Sequence, residues 1–190
     1  MIPRLVIATK NRDKLAELDP LVRELGIARG VATGMDWPDV DETGATLEEN
    51  AFLKARAASE ATGLPALGDD TGLEVGELGG APGIRTARYA GPDATYQDNV
   101  SKLLTELGRA ADRSARFRTA VVVVWPDGSR VTAEGHVDGE ILERPRGVGG
   151  FGYDPVFAVD GLTLAEMSED AKNQLSHRYL ALRALAEKLS

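Results

Sequence analysis

The stretch ALGDDTGLEVGELGGAPGIRTARYAG, residues 66–91, raises the first question about this chain. Its apolar beginning ends in two adjacent carboxylates, Asp69 and Asp70, which are followed by the hydroxyl of Thr71 and by a series of glycines. A solvated acidic turn is the simplest interpretation, because turns often combine acidic residues with glycine. If residues 66–68 form a strand, the carboxylates follow its end, where they could hold a metal ion or accept a proton.

The composition is that of an ordinary globular protein, and the length of 190 residues favours a single domain over 1–190, or two small lobes that share a core. The net charge of −8, with no strongly basic stretch, argues against nucleic acid as a partner. The absence of cysteine excludes disulfides and thiol nucleophiles and is consistent with a reducing cytoplasm. No apolar run approaches about 18 residues, so we expect no membrane span.

Residue patterning predicts an α/β protein with a mixed sheet. The predicted strands cover residues 5–9, 66–68, 73–78, 117–125, 130–137 and 155–159. The first predicted helix follows Asn11 as its cap, and the second spans 47–62 with Thr46 as its cap. Two more predicted helices start at Asp93 or Thr95 and occupy the last residues. Pro20 lies inside the first helix and should kink or split it. A turn at residues 126–128 predicts an antiparallel hairpin.

The segment ATKNRDK, residues 8–14, places three cations at the start of a helix. The N-terminus of a helix is already partly positive, so Lys10, Arg12 and Lys14 are unfavourable there unless an anion binds. A phosphate group would suit this position. A solvated basic turn is the alternative.

A second cationic group lies in AEMSEDAKNQLSHRYLALRAL, residues 165–185. On one continuous helix Lys172 and Arg178 would point about 120° apart. Alternatively, Ser176 caps a new helix that begins with His177 and Arg178, and a ligand would again offset cations at a helix start. His136 has no such neighbours and is interpreted as a surface residue of a strand.

The glycine-rich segment GVGGFGYDPVF, residues 147–157, matches the G-x-G-x-x-G dinucleotide fingerprint by letter only. No clear buried strand precedes it, and Pro155 follows where a helix should begin. A loop lying against a flat ligand, with Phe151 or Tyr153 for stacking, fits better, and a glycine hinge is the alternative. The sequence contains neither a G-x-S-x-G elbow nor a P-loop.

Acidic residues offer candidate metal ligands at two places. Asp41 and Glu42, with Asp39 just before them, precede the helix at 47–62, and Asp69-Asp70 follow a strand. Mg²⁺ needs only one or two carboxylates when phosphates and waters complete its shell. In an extended chain Asp69 and Asp70 would point to opposite sides and so divide their roles. Solvated loop charges are the alternative for Asp39 and Glu42.

Five segments in this order, ATKNRDK, LEENAFLKARAAS, LGDDTGLEVGELGGAPGIRTARYAG, GGFGYDP and SHR, resemble the inosine triphosphate pyrophosphatase family over nearly the whole chain. The resemblance implies an elongated α/β fold with a central mixed sheet flanked by helices, two lobes with an active-site cleft between them, and a homodimer. It implies Mg²⁺-dependent hydrolysis of XTP, ITP and dITP to the monophosphate and pyrophosphate.

The resemblance also implies roles for residues. Asp70 matches the proposed general base and is a metal ligand together with Asp41, although Glu42 and Asp69 stay open as alternatives to Asp41. The substrate contacts that the resemblance implies are Thr9, Lys10, Asn11, Arg12, Asp13, Lys14, Thr71, Phe151, Gly152, Tyr153, Asp154, Lys172, His177 and Arg178. Lys10, Asp41 and Pro20 depart from the usual family pattern. A pyrophosphatase for other modified nucleotides, a non-catalytic nucleotide sensor and a dinucleotide oxidoreductase are the competing readings.

Overall fold

The computed structural model describes residues 1–190 with the exception of the side chain of Glu169. The helices are α1 (Arg12–Glu24), α2 (Leu47–Thr62), α3 (Tyr96–Leu107), α4 (Glu169–Leu175) and α5 (His177–Lys188). The strands are β1 (Leu5–Ile7), β2 (Val31–Ala32), β3 (Ala66–Val75), β4 (Pro82–Gly83), β5 (Ser114–Val124), β6 (Arg130–Ile141), β7 (Phe157–Val159) and β8 (Leu162–Thr163). None of the helices, as far as the chain is described, is long and apolar enough to cross a membrane.

The strands form a mixed sheet in the order β2-β1-β3-β5-β6-β7-β8, and β4 pairs with β3. Strand β1 runs parallel to β2 and β3, whereas β7 runs antiparallel to β6 and β8. The prediction of an α/β protein with a mixed sheet flanked by helices is therefore confirmed. The chain divides into two compact units, and the single domain over 1–190 stays a prediction.

The first unit comprises residues 1–70, 119–135 and 177–190 and is built in three layers. Successive residues of a strand point to opposite faces of a sheet. Leu5 and Ile7 accordingly pack with α1 and α5, whereas Val6 packs towards α2. Gly68 lets α2 approach closely, because a Cβ at this position would lie 2.1 Å from the Ala51 carbonyl oxygen. This alternation continues into the two aspartates that end this unit's part of β3.

The second unit comprises residues 71–118 and 136–176. Its core gathers residues from β3, α3 and β5–β7, among them Leu73, Leu103, Phe117 and Phe157. Of the two predicted starts of α3, Asp93 and Thr95, the structure has Thr95, which forms a capping box with Asp98. Capping of this kind satisfies N–H groups that the first turn would leave unpaired.

Two sequence expectations differ from the structure. Strand β3 is continuous from Ala66 to Val75, so Asp69 and Asp70 lie within a strand and not beyond its end. Helix α1 continues through Pro20 instead of splitting, because the apolar residues Leu18, Leu21 and Val22 are buried on both sides of the proline. The break at Ser176, by contrast, is confirmed, since α4 ends at Leu175 and α5 starts at His177.

Candidate functional site

The turn between β1 and α1 lies beside the aspartates of β3. The parallel pairing matches Ile7 with Leu67, so the residues after β1 and the residues after Leu67 leave the paired region in the same direction. Asn11 caps α1 by accepting the N–H groups of Asp13 at 2.9 Å and Lys14 at 3.2 Å, as predicted. The cap fixes the first turn of α1, from which Lys14 reaches towards Asp69.

Asp69 is surrounded by cations from α1 and α5. The Lys14 Nζ lies 2.9 Å from Asp69 Oδ2, and the Arg178 Nε lies 3.7 Å from the same oxygen. Arg178 also donates from Nη1 to Glu17 Oε2 at 2.7 Å. Burial alone would raise the pKa of Asp69, but Lys14, Lys54 and Arg178 outweigh it and hold this pKa well below its usual range. Asp69 is therefore ionised throughout the physiological range.

Asp70 faces α2 and has a different environment. Lys54 Nζ lies 3.3 Å from Asp70 Oδ1, and Asn50 Nδ2 donates to Asp70 Oδ2 at 3.2 Å. Burial raises the pKa of Asp70, the charge of Glu42 adds to this effect, and Lys54 opposes it. Of two adjacent aspartates, Asp70 is thus the stronger base.

Glu42 is the acidic residue of the preceding loop that reaches this group. Its Oε1 lies 2.6 Å from Lys54 Nζ, so one ammonium group joins the carboxylates of Glu42 and Asp70. Burial acts to lower the pKa of Lys54, but Asp69, Asp70 and Glu42 together raise it. Asp41 is exposed, and the contact the structure records for it is made by its carbonyl oxygen, which accepts the N–H of Thr43 at 2.9 Å.

The acidic residues fit a hard divalent cation. The described side chains contain no group of three or more His, Cys, Asp or Glu that could hold a metal by themselves. Two carboxylates already share a cationic group, however, and two carboxylates plus phosphate oxygens and waters are a typical environment for Mg²⁺. Phosphate oxygens and waters would have to complete such a site.

The start of α5 is pressed against β6. A Cβ at Gly135 would lie 2.3 Å from the Ala181 nitrogen and 2.6 Å from the His177 carbonyl oxygen, so only glycine fits there. His177 is buried, and its Nδ1 lies 2.6 Å from Thr119 Oγ1. His136 is exposed on β6, as predicted.

In the second unit, Asp154 organises the predicted loop at Phe151. Its Oδ2 accepts the N–H of Phe151 at 2.9 Å and lies 2.7 Å from Lys172 Nζ. Lys172 Nζ also lies 5.3 Å from the centre of the Phe151 ring, a cation–π distance. Gly150 has a φ of +68°, and a Cβ there would lie 2.1 Å from Asp154 Oδ2. Asp154 thus connects Phe151 and Lys172, which lie far apart in sequence.

Tyr153 belongs to the core of this unit. It is 4% exposed, and its hydroxyl donates to the Thr86 carbonyl at 3.0 Å. Burial raises the pKa of the Tyr153 hydroxyl above its usual value. The side chain of Tyr153 therefore belongs to the core, and its substrate contact stays a prediction. No helix follows the glycines between β6 and β7, which agrees with rejection of the dinucleotide fingerprint.

The other predicted residues have simpler surroundings. Lys10 is exposed and pairs with Asp39 at 2.5 Å, and Arg12 and Asp13 are exposed in the first turn of α1. Thr9 accepts the N–H of Asn11 at 3.2 Å. Thr71 and Gly152 are half-buried in the second unit. The candidate site of the first unit therefore centres on Lys14, Asp69 and Asp70 with their partners.

The model of the Ham1 family matches residues 5–188 of this sequence. The chain belongs to the Ham1 family. A dITP/XTP pyrophosphatase from Geobacter sulfurreducens is 46% identical over 191 residues, which cover 98% of this chain and 96% of the relative. A dITP/XTP pyrophosphatase from Symbiobacterium thermophilum is 47% identical over 189 residues, covering 98% and 94%. The solved structure of a HAM1 protein from Coxiella burnetii superimposes with a TM-score of 0.88 at 40% identity and covers 99% of this chain and 98% of its own.

Membership of the Ham1 family confirms the predicted resemblance. Sequence reasoning nevertheless gave no role to Asn50, Lys54 or Glu17, although each contacts a predicted site residue. A signal was present for two of them. Asn50 and Lys54 are four residues apart on α2, so they lie on one face of the helix.

Proposed function

We propose that this member of the Ham1 family hydrolyses non-canonical purine nucleoside triphosphates of the XTP, ITP and dITP type to the monophosphate and pyrophosphate. The similarity to two bacterial dITP/XTP pyrophosphatases supports the substrate class. The observation that carries the proposal is the environment of Asp70, a buried carboxylate of raised pKa beside Lys54 and Glu42. A base next to a cation site is what hydrolysis of a phosphoanhydride needs.

In this proposal Asp70 accepts a proton from a water molecule as the water oxygen attacks the α-phosphorus. A bond forms between the water oxygen and phosphorus, the bond from the α-phosphorus to the bridging oxygen breaks, and pyrophosphate leaves with the electron pair. Lys14 and the N-terminus of α1 bind the triphosphate and offset its charge. Asp69 stays ionised and holds Lys14 and Arg178 in place.

We propose Asp70 and Glu42 as the carboxylates that hold Mg²⁺, with Glu42 in the position first predicted for Asp41. The shared contact with Lys54 supports Glu42, because it brings this carboxylate to Asp70, whereas Asp41 is exposed. When bound there, Mg²⁺ would neutralise charge on the phosphate oxygens and the leaving group. Lys54 would then turn to the phosphates or to one of the carboxylates.

Selection of the base follows from the direction of hydrogen bonds. Hypoxanthine and xanthine present an oxygen acceptor at position 6, whereas adenine presents an amino donor. Donors from His177, Arg178 or backbone N–H groups therefore suit the first two bases. An adenine would leave buried donors facing each other, at a cost of about 1–3 kcal/mol for each unpaired group.

The homodimer implied by the resemblance, and the cytoplasmic location with which the absence of cysteine is consistent, are part of the same proposal. Light scattering of the purified protein tests the dimer, which is refuted if the mass corresponds to one chain of 20.2 kDa.

The central experiment measures Mg²⁺-dependent release of pyrophosphate from dITP, XTP, GTP and ATP. We expect rapid release from dITP and XTP and slow release from GTP and ATP. Asp70→Asn should abolish release while dITP still binds, and Asp138→Asn, a change in an exposed ion pair, is the matched control that should leave release unchanged. Equal rates on all four nucleotides would overturn the selectivity, and binding without release would indicate a non-catalytic sensor.

A further inference from the structure

Asn50 is a fully buried amide in the first turn of α2, and both ends of its side chain are used. Its Oδ1 accepts the N–H of Gly44 at 2.8 Å, and its Nδ2 donates to Asp70 Oδ2 at 3.2 Å. The two contacts determine the orientation of the amide. A backbone N–H can be met only by the oxygen, so the NH₂ group has to face Asp70.

The segment before α2 is fixed against the same amide. A Cβ at Gly44 would lie 2.7 Å from Asn50 Oδ1 and 2.7 Å from Glu49 Cβ, so the backbone touches the helix start directly. The N–H of Ala45 donates to Glu49 Oε2 at 2.6 Å. Asn50 thus holds Gly44, which lies two residues after Glu42, against the start of α2.

Asp70 needs such a partner because its carboxylate can rotate. The terminal torsion of an Asp side chain is broad, so packing alone does not fix which oxygen points in which direction. Lys54 contacts Oδ1 through a long side chain that Glu42 also attracts. Asn50 contacts the other oxygen, Oδ2, from a short side chain that is already held by Gly44.

We propose that Asn50 is a positioning residue for hydrolysis: it fixes the rotation of the Asp70 carboxylate and keeps the segment carrying Glu42 in register with it. This inference rests on the proposed function. A general base works only within hydrogen-bond reach of the proton it removes, and a misplacement of about 1 Å costs about 100-fold in rate. Asn50 acts through Asp70 and is not itself catalytic, since its side-chain contacts are made to Gly44 and Asp70.

Two substitutions separate the two contacts of Asn50. Asn50→Asp keeps an oxygen for the Gly44 N–H but replaces the donor to Asp70 with a second carboxylate, whereas Asn50→Ala removes both contacts. Asn99 provides a matched control in the second unit. It is likewise a buried residue of a first helical turn, and it accepts the Ala90 N–H at 2.8 Å and donates to the Ala87 carbonyl at 3.1 Å, with no carboxylate involved.

The experiment measures kcat and KM for dITP with saturating Mg²⁺, and Tm, for the wild type and the three variants. We expect kcat to fall about 10–100-fold in both Asn50 variants, with KM changed by less than about 3-fold. Tm should fall in both Asn50 variants, because Asn50→Ala loses the contact with Gly44 and Asn50→Asp places a second buried carboxylate against Asp70. Asn99→Ala should lower Tm while kcat stays within about 2-fold of wild type, since it breaks comparable hydrogen bonds elsewhere.

Either Asn50 variant with a kcat within about 2-fold of wild type would overturn the inference while leaving the proposed function intact. A rise in KM at constant kcat would also overturn it, because the residue would then act on substrate binding. A wild-type protein that releases no pyrophosphate from dITP or XTP would instead refute the proposed function, and the inference with it.

Discussion

Asp69→Asn tests how much the buried carboxylate of Asp69 stabilises the fold through its ion pairs with Lys14 and Arg178. The substitution keeps the size of the side chain but removes its charge. It leaves Lys14, whose Nζ lies 2.9 Å from Asp69 Oδ2, without this anion, and it leaves Arg178 with Glu17. Breaking a buried ion pair by removing one partner costs about 3–5 kcal/mol.

The lower end of this range applies, because Lys14 keeps 17% of its side chain exposed and can regain part of its hydration. We therefore expect the free energy of unfolding to fall by about 3 kcal/mol. For a chain of 190 residues each kcal/mol corresponds to roughly 2–4 °C, so Tm should fall by about 6–12 °C. Calorimetry measures the change in Tm directly. The double variant Lys14→Met with Asp69→Asn should lose less free energy of unfolding than the sum of the two single variants.

The pH dependence of the same comparison has a definite sign. The pKa of Asp69 is lower in the folded state than in the unfolded chain, where it is about 4. The ionised carboxylate therefore contributes its full stabilisation above about pH 4 and loses it as the pH falls below that value. The difference in the free energy of unfolding between wild type and Asp69→Asn should be constant from about pH 8 to 5 and shrink as the pH falls further. A gap below about 0.5 kcal/mol at pH 7, or one that does not change between pH 7 and pH 3, would refute the reasoning.

Three further outcomes follow from single contacts. Gly68→Ala should lower the free energy of unfolding in urea by about 1–3 kcal/mol or more, because its Cβ would lie 2.1 Å from the Ala51 carbonyl oxygen. An unchanged midpoint would contradict the close approach of α2. Glu42→Gln should raise the Mg²⁺ concentration needed for half-maximal release about 10-fold or more, whereas Asp41→Asn should change it little, and the reverse order would restore Asp41 as the ligand. Phe151→Ala should raise KM for dITP at least about 5-fold if the base stacks on this ring, and an unchanged KM would exclude stacking.

Features that depend on neighbouring residues could be predicted from the sequence. The Asn11 cap of α1 and the Thr46 cap of α2 involve side chains and N–H groups within three residues of each other. The start of α5 at His177 was one of two interpretations, and the Ser176 break identified it. Local capping chemistry is repeated in many proteins, so the same few residue types mark these positions reliably.

Features that depend on how elements pack could not be predicted in this way. Asn50 and Asp70 are 20 residues apart, and their contact exists only because α2 crosses β3 at Gly68. The choice of Glu42 over Asp41 near Asp70 likewise depends on the path of one loop, since both residues are acidic and adjacent. Patterning identifies which side chains could bind a metal, whereas packing decides which of them reach it.

The opposite pKa shifts of Asp69 and Asp70 follow from this division between pattern and packing. Both are buried aspartates of one strand, and burial alone would raise both pKa values. Because β3 continues through them, their side chains face different layers of the first unit, one with two cations from α1 and α5 and the other with a single lysine that Glu42 shares. An ionised anchor and a more basic carboxylate therefore arise from adjacent, identical residues. The sequence predicted that Asp69 and Asp70 divide their roles if the chain is extended there, and the continuity of β3 through both residues supplies that extended backbone.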